Sequence, residues 1–264
     1  MTSVSEADGQ NPVTKMEFAV EMKSPCCGSK VENALNKLPG IKSIKVNPSS
    51  QRLVVEGNVA AEAVRSQIED TTGMSTVLLG YGSSGANLGA GVAAISIGSS
   101  KVQGLLRFVQ SNPNTCIIEG TVDELPTSES IYLSVHETGD VSDGCESCGP
   151  PLSQEGCQSG GILSSFLSMS NRQFGGILGQ LHPSEDKRAE FRIASAVNLS
   201  DMYGHCVVIH KGSKEDVEQG KSKRLACGII ARASGLFQNS KRFCACDGVS
   251  IWEQRDMDKN SSAL

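Results

Sequence analysis

The apolar residues of this chain change period once, and that change limits what it can fold into. Up to Leu79 the chain alternates between strand-like and helix-like spacing; from Val92 onwards only strand-like runs recur. Between the two lies Gly80-Tyr81-Gly82-Ser83-Ser84-Gly85-Ala86-Asn87-Leu88-Gly89-Ala90-Gly91. A run so rich in Gly and Ser behaves as flexible coil and marks a domain boundary. At 264 residues the chain has length for two cores.

In the first part, Lys15 to Met22 alternates apolar and polar residues, as a half-buried strand does. Lys23 to Gly28 reads as a loop. A helix follows, with Val31, Leu35 and Leu38 on one face and Pro39-Gly40 closing it. Ile41–Val46 and Arg52–Glu56 read as strands, Ala60–Asp70 as a second helix and Ser75–Leu79 as a last strand. The order is βαββαβ, the ferredoxin-like arrangement.

The second part contains β-rich runs at Val92–Ile97, Val102–Gln110, Thr115–Val122, Ser130–His136, Ala189–Ala194, His205–His210 and Leu225–Ala231. Gly, Pro, Asn and Ser clusters separate many of them, which points to an antiparallel sandwich or barrel. With 24 basic and 29 acidic residues there is no positive surplus to neutralise phosphates, so nucleic acid is not an expected partner. No apolar run approaches the ~20 residues of a membrane helix. Met1–Asn11 is polar and lacks the apolar core of a signal peptide, so a cytoplasmic protein is expected.

Ten cysteines are many for a chain in a reducing compartment, where clusters point to metal binding or redox chemistry. Cys244-Ala245-Cys246 places two thiols one residue apart in a polar tail. Such a pair can grip a soft ion such as Cu(I), or attack and carry a disulfide. Cys26 and Cys27 stand just before the first helix, whose N-terminus favours the thiolate. Cys145-x-x-Cys148 has redox spacing but lacks the βαβ setting that supports that reading. Cys116 and Cys206 lie in strand-like runs and read as core residues.

Two resemblances follow from particular residues. Met22-Lys23-Ser24-Pro25-Cys26-Cys27, between a strand and a helix, resembles the Met-x-Cys-x-x-Cys loop of heavy-metal-associated domains. Met22 and Cys27 match, Ser24 stands at the first cysteine and Cys26 is an extra thiol. A rearranged metal site and a domain kept for its fold or docking are both open readings. His136-Glu137-Thr138-Gly139-Asp140, Gly144-Cys145-Glu146-Ser147-Cys148-Gly149-Pro150 and Arg224-Leu225-Ala226-Cys227-Gly228 resemble the copper–zinc superoxide dismutases. The continuation through Ile230–Asn239, Cys244-Ala245-Cys246-Asp247-Gly248 and Ile251-Trp252-Glu253 resembles the family of copper chaperones that serve them.

The resemblance implies a multidomain α+β and all-β chain: a ferredoxin-like βαββαβ domain followed by a Greek-key dismutase-like β-barrel. The expected boundaries are a disordered start over 1–14, the metal-associated domain over 15–79, the linker over 80–91, the barrel over 92–237 and a flexible Cys-x-Cys segment over 238–264. It also implies a disulfide between Cys145 and Cys227. A bond of that span stabilises by roughly 4 kcal/mol in the chain-entropy model.

Enzymatic dismutation is not expected. Of the copper ligands, His136 and His210 remain, while Ser134 and Pro151 replace two others; Ser159, Gln173 and Gly176 fall at zinc positions. His136 and His210 then read as hydrogen-bonded barrel histidines, and zinc is not expected. The expected role is that of a metallochaperone delivering Cu(I) to copper–zinc superoxide dismutase and promoting the target's disulfide. Cys244 and Cys246 would carry copper and thiol exchange, with Cys26, Cys27 and Met22 as further candidate ligands. Thr138, Gly139, Asp140, Gly228, Ile229 and Ile230 would form the face for a heterodimer with the target, or for pairing with a second copy. A thiol–disulfide oxidoreductase without metal, and a purely structural partner of the immature enzyme, are the alternatives.

Overall fold

The computed structural model describes residues 12–83, 85, 87–152 and 176–238. Its first domain runs β1 (Thr14–Val20), α1 (Cys27–Leu35), β2 (Ile41–Asn47), β3 (Arg52–Gly57), α2 (Ala61–Thr72) and β4 (Thr76–Ser83). The antiparallel sheet has the order β2-β3-β1-β4. Met16, Phe18 and Val20 alternate along β1 and face Val31 and Leu35 of α1 and Val64 and Ile68 of α2 across the core. Each large apolar side chain buried there contributes about 1.5–3 kcal/mol. α1 ends at Leu35, so Leu38 packs from the following turn instead of from a third helical turn. α2 closes on Gly73 at φ +69°, a left-handed cap that suits glycine.

The second domain contributes β5 (Ala90–Ile95), β6 (Gln103–Asn112), β7 (Thr115–Asp123), β8 (Ile131–Val135), β9 (Ile177–Leu181), β10 (Ala189–Ser195), β11 (Cys206–Lys211), α3 (Lys214–Glu218), β12 (Lys223–Ile229) and β13 (Ala231–Arg232). Two sheets form, ordered β10-β7-β6-β5-β13 and β12-β11-β8-β9. Phe108, Ile118, Leu133, Val135, Val207 and Ile209 fill the space between them. An isolated bridge between Ile97 and Cys227 links the two sheets, which are not one closed hydrogen-bonded barrel. Among the described residues, no helix is long and apolar enough to cross a membrane.

The expected coil at 80–91 is shorter than its composition suggests. β4 continues through Ser83 because β1 pairs with it the whole way, with Met16 opposite Tyr81 and Thr14 opposite Ser83. Glycine at 80 and 82 answers to packing, not to flexibility. A Cβ on Gly80 would lie 2.5 Å from the Gly235 carbonyl oxygen, and one on Gly82 would lie 2.9 Å from Leu236. β5 begins at Ala90, and Val109 of β6 packs into the first domain's core with Tyr81.

Candidate metal and thiol sites

The loop after β1 gathers its thiols around one hydroxyl. Ser24 Oγ lies 3.0 Å from Cys26 Sγ and 3.2 Å from Cys27 Sγ. Cys26 is exposed and Cys27, the first residue of α1, is half-buried. The hydrogen bond from Ser24 holds the Cys27 thiol below its ordinary pKa, with help from backbone N–H groups and Lys30. A residue that removes one expected ligand thus polarises another. Met22 is buried in the domain core, with its carbonyl accepting from Gln51 Nε2 at 3.2 Å. Among the described residues no group of three or more His, Cys, Asp or Glu side chains is arranged to hold a metal.

In the second domain His136 and His210 do meet, as a hydrogen-bonded pair. Their Nε2 atoms are 2.9 Å apart, and Ser134 Oγ lies 3.0 Å and 2.8 Å from them. The rings stack at 5.0 Å. His136 Nδ1 faces the Gly149 carbonyl at 2.8 Å and must donate to it, which leaves its Nε2 as an acceptor. His210 Nδ1 faces Ser222 Oγ at 2.8 Å, so the serine can donate there and His210 Nε2–H can serve the centre. Two nitrogens on a tetrahedral ion at ~2.0–2.1 Å would stand about 3.4 Å apart; at 2.9 Å they share a proton. Burial holds both rings neutral, pulling His136 down to about 4 and His210 to about 3.

Cys145 and Cys227 are joined in a disulfide with Cα atoms 5.7 Å apart. Arg224 wraps the turn beside it, Nη1 donating to the Cys145 carbonyl at 2.6 Å and Nη2 to that of Gly149 at 2.7 Å. The two stretches expected at a partner interface flank one segment: Gly204 N–H donates to the Ile230 carbonyl, and Cys206 N–H to that of Thr138. Gly139 has no room for a side chain against the Gly204 carbonyl, nor Gly228 against that of Ala94. Gly228 and Ile230 are buried, so Thr138, Asp140 and Ile229 are the exposed members. Ile229 is an apolar side chain 38% exposed. Cys244, Cys246, Cys157, Ser159 and Gln173 lie outside the described residues. Gly176 is described, and its carbonyl accepts from Val135 N–H at 2.8 Å.

Cys206 and Cys116 are buried core residues, as the sequence led one to expect. Sequence reasoning missed one feature of these sites: it gave Ser134 no role beyond replacing a ligand; only the register of β8 against β11, Ser134 opposite Val208 and Tyr132 opposite His210, brings the serine and the imidazoles together.

Residues 17–74 match the family model of the heavy-metal-associated domain, and residues 102–230 match that of copper/zinc superoxide dismutase. The copper chaperone for superoxide dismutase of Sus scrofa is 37% identical over 263 residues, covering 95% of this chain and 92% of that protein. The one of Homo sapiens is 36% identical with the same coverage, and that of Rattus norvegicus is 37% identical over 91% of this chain and 88% of its own length. On identity and coverage of this order, the chain belongs to the family of copper chaperones for superoxide dismutase.

Proposed function

We propose that this chain carries Cu(I) as cargo to copper–zinc superoxide dismutase and promotes closure of the target's internal disulfide in the same encounter. The observation that carries the copper half is the convergence of Cys26 and Cys27 on Ser24 at the start of α1, in a domain of the heavy-metal-associated family. The names of the relatives and the dismutase-like second domain support the choice of target.

In this reading Cys244 and Cys246 are the principal copper ligands, because Ser24 replaces a thiol in the first domain. Cys26 and Cys27 form a secondary set, with Met22 packed beneath the loop. The target's thiolates replace those of the tail one at a time, so copper never leaves a soft donor set. When the tail pair is a disulfide, a target thiolate attacks it and a tail thiolate leaves. The target's second thiolate then displaces the mixed disulfide, and the electrons end on the tail dithiol. Thr138, Asp140 and Ile229, backed by Gly139, Gly228 and Ile230, form the heterodimer face, for which a second copy of this chain competes. Zinc has no part in it, and the protein acts in the cytoplasm as a chaperone with no dismutase turnover.

Competition for Cu(I) against a chelator tests the assignment. Cys244→Ser/Cys246→Ser should lose most of the affinity and Cys26→Ser/Cys27→Ser less; unchanged affinity in the tail variant would overturn it. Disulfide closure in the target without copper would favour a thiol–disulfide oxidoreductase. Target maturation that survives deletion of 238–264 would favour a structural partner.

A further inference from the structure

Cys26 and Cys27 are free thiols that a solute can reach, the first exposed and the second half-buried, in the loop that leads from β1 into α1. They are also consecutive in the chain. Consecutive Cα atoms across a trans peptide stand about 3.8 Å apart, whereas disulfides usually span roughly 4.4–6.8 Å between Cα atoms. The local backbone resists any rearrangement that would join them. Cys26 is in the right-handed helical conformation at φ −69° and ψ −14°, and Cys27 is the first residue of α1. Cys27 N–H donates to the Ser24 carbonyl at 3.0 Å and Gly28 N–H to that of Pro25 at 3.3 Å. A Cys26–Cys27 bond would have to unwind this turn, and a strained disulfide is the more readily reduced one.

Position 24 supplies the contrast. Ser24 Oγ lies 3.2 Å from Cys27 Sγ, and a turn of this kind holds its first and fourth Cα atoms within about 7 Å. A thiol at 24 would meet Cys27 within disulfide range, but a hydroxyl cannot form the bond. The pair spaced for closure thus has one sulfur, and the pair with two sulfurs is not spaced for closure.

The charges beside the loop indicate what it meets. Lys30 is exposed three residues after Cys27, on the same face of α1. Lys23 is also exposed and lies 3.3 Å from Glu21. A small thiol that carries carboxylates finds two ammonium groups next to the sulfurs.

We propose that the Cys26–Cys27 pair is a modification site for small carboxylate-bearing thiols of the glutathione type, held as a mixed disulfide that the neighbouring cysteine cannot displace. The thiolate of one cysteine attacks a sulfur of the small disulfide. That S–S bond breaks, one half stays bonded to the protein, and the other leaves as a thiolate with the bonding electron pair. In a loop with spaced thiols the second cysteine would attack the protein sulfur, expel the small thiol and close an internal disulfide. Here that step needs the strained bond between consecutive residues, so the adduct persists until an external thiol removes it. The adduct occupies a candidate copper ligand. That consequence rests on the copper reading above, whereas the modification does not.

The test incubates the full-length protein with glutathione disulfide in the absence of copper, quenches in acid, alkylates free thiols after denaturation and maps peptides without reduction. Cleavage after Lys23 and Lys30 leaves both cysteines on one peptide. The expected result is one glutathione on that peptide, with its other cysteine alkylated. In Ser24→Cys/Cys26→Ser the adduct should be lost in favour of an internal bond between positions 24 and 27. An internal Cys26–Cys27 bond in the wild type would overturn the proposal, as would linkage of either residue to a tail cysteine or full alkylation of both after prolonged exposure. An adduct retained equally in Ser24→Cys/Cys26→Ser would overturn it too, and wild-type mapping alone decides the matter if that variant fails to fold. Competition for Cu(I) by thiolated and untreated Cys244→Ser/Cys246→Ser protein reads the consequence, and thiolation should abolish the remaining affinity. Unchanged affinity with the adduct in place would overturn the copper reading of the loop and leave the modification standing.

Discussion

Glu119 caps a helix of the other domain: its Oε1 accepts from Ala61 N–H, the first residue of α2, at 3.0 Å. α2 has no side-chain cap of its own, since Ala60 stands at the N-cap. Glu119 Oε2 accepts from Tyr81 Oη at 2.8 Å, and Arg192 Nη1 lies 4.0 Å away. Burial pushes this carboxyl up, and Arg192, the Ala61 N–H and the Tyr81 hydroxyl pull it back. Arg192 Nη2 reaches on to the Pro12 carbonyl and Thr14 Oγ1. The two domains are joined through this buried polar centre.

Glu119→Ala leaves the Ala61 N–H without its acceptor and the buried Arg192 guanidinium without its countercharge, at a cost of about 3 kcal/mol. Urea unfolding should show the loss, and amide exchange at the start of α2 should quicken although the substitution lies in β7. Tyr81→Phe should cost about 1 kcal/mol. Protection of α2 unchanged in Glu119→Ala would exclude the interdomain cap.

Acid should loosen the second domain early. His136 and His210 stay neutral down to about 4 and about 3 when folded, whereas an unfolded imidazole protonates near 6.5. Between those values the unfolded chain binds protons that the folded chain refuses. Stability is therefore intact above about pH 6.5 and falls as the pH drops towards 4, by about 3 kcal/mol for His136 alone. Urea titrations at successive pH values give this slope, and His210→Gln should flatten it.

Ser24→Ala should raise the pKa of the Cys27 thiol, because the hydroxyl is the largest influence lowering it. Less thiolate at neutral pH means slower reaction with iodoacetamide, by a few-fold. The pH profile of alkylation at Cys27, read by mass spectrometry, should move to higher pH. A rate equal to wild type would assign the thiolate to the helix terminus instead.

Ile229→Lys tests the heterodimer face. The side chain is partly exposed and the strand around it is held by the pairing of Cys206 with Ile229, so folding should survive. Association with immature dismutase should fall at least tenfold, equivalent to about 1.4 kcal/mol. The melting temperature should stay close to wild type.

Much of the first domain was legible because Val64 and Ile68, or Met16 and Phe18, announce their period directly. Gly80 to Ser83 misled for a physical reason: glycine required by a close neighbour looks the same in sequence as glycine that frees a chain. β9 escaped notice because Gly179 and Gln180 interrupt its alternation, although glycine is needed at 179, where a Cβ would lie 2.8 Å from Ile193. Glu119, beside Ile117 and Ile118 in β7, looks like an outward-facing strand residue until the other domain is set against it. His136 and His210 are distant in sequence, and the pairing of β8 with β11 makes them neighbours.

Phe237 N–H donates to Glu17 Oε2 at 2.9 Å, while Arg52 holds the other oxygen of Glu17 at 2.9 Å. The last described residues of the second domain are thus moored on β1 of the first. Whatever follows Gln238 therefore starts from a point held against the first domain, and its origin is set by β1 as much as by the dismutase-like sheets.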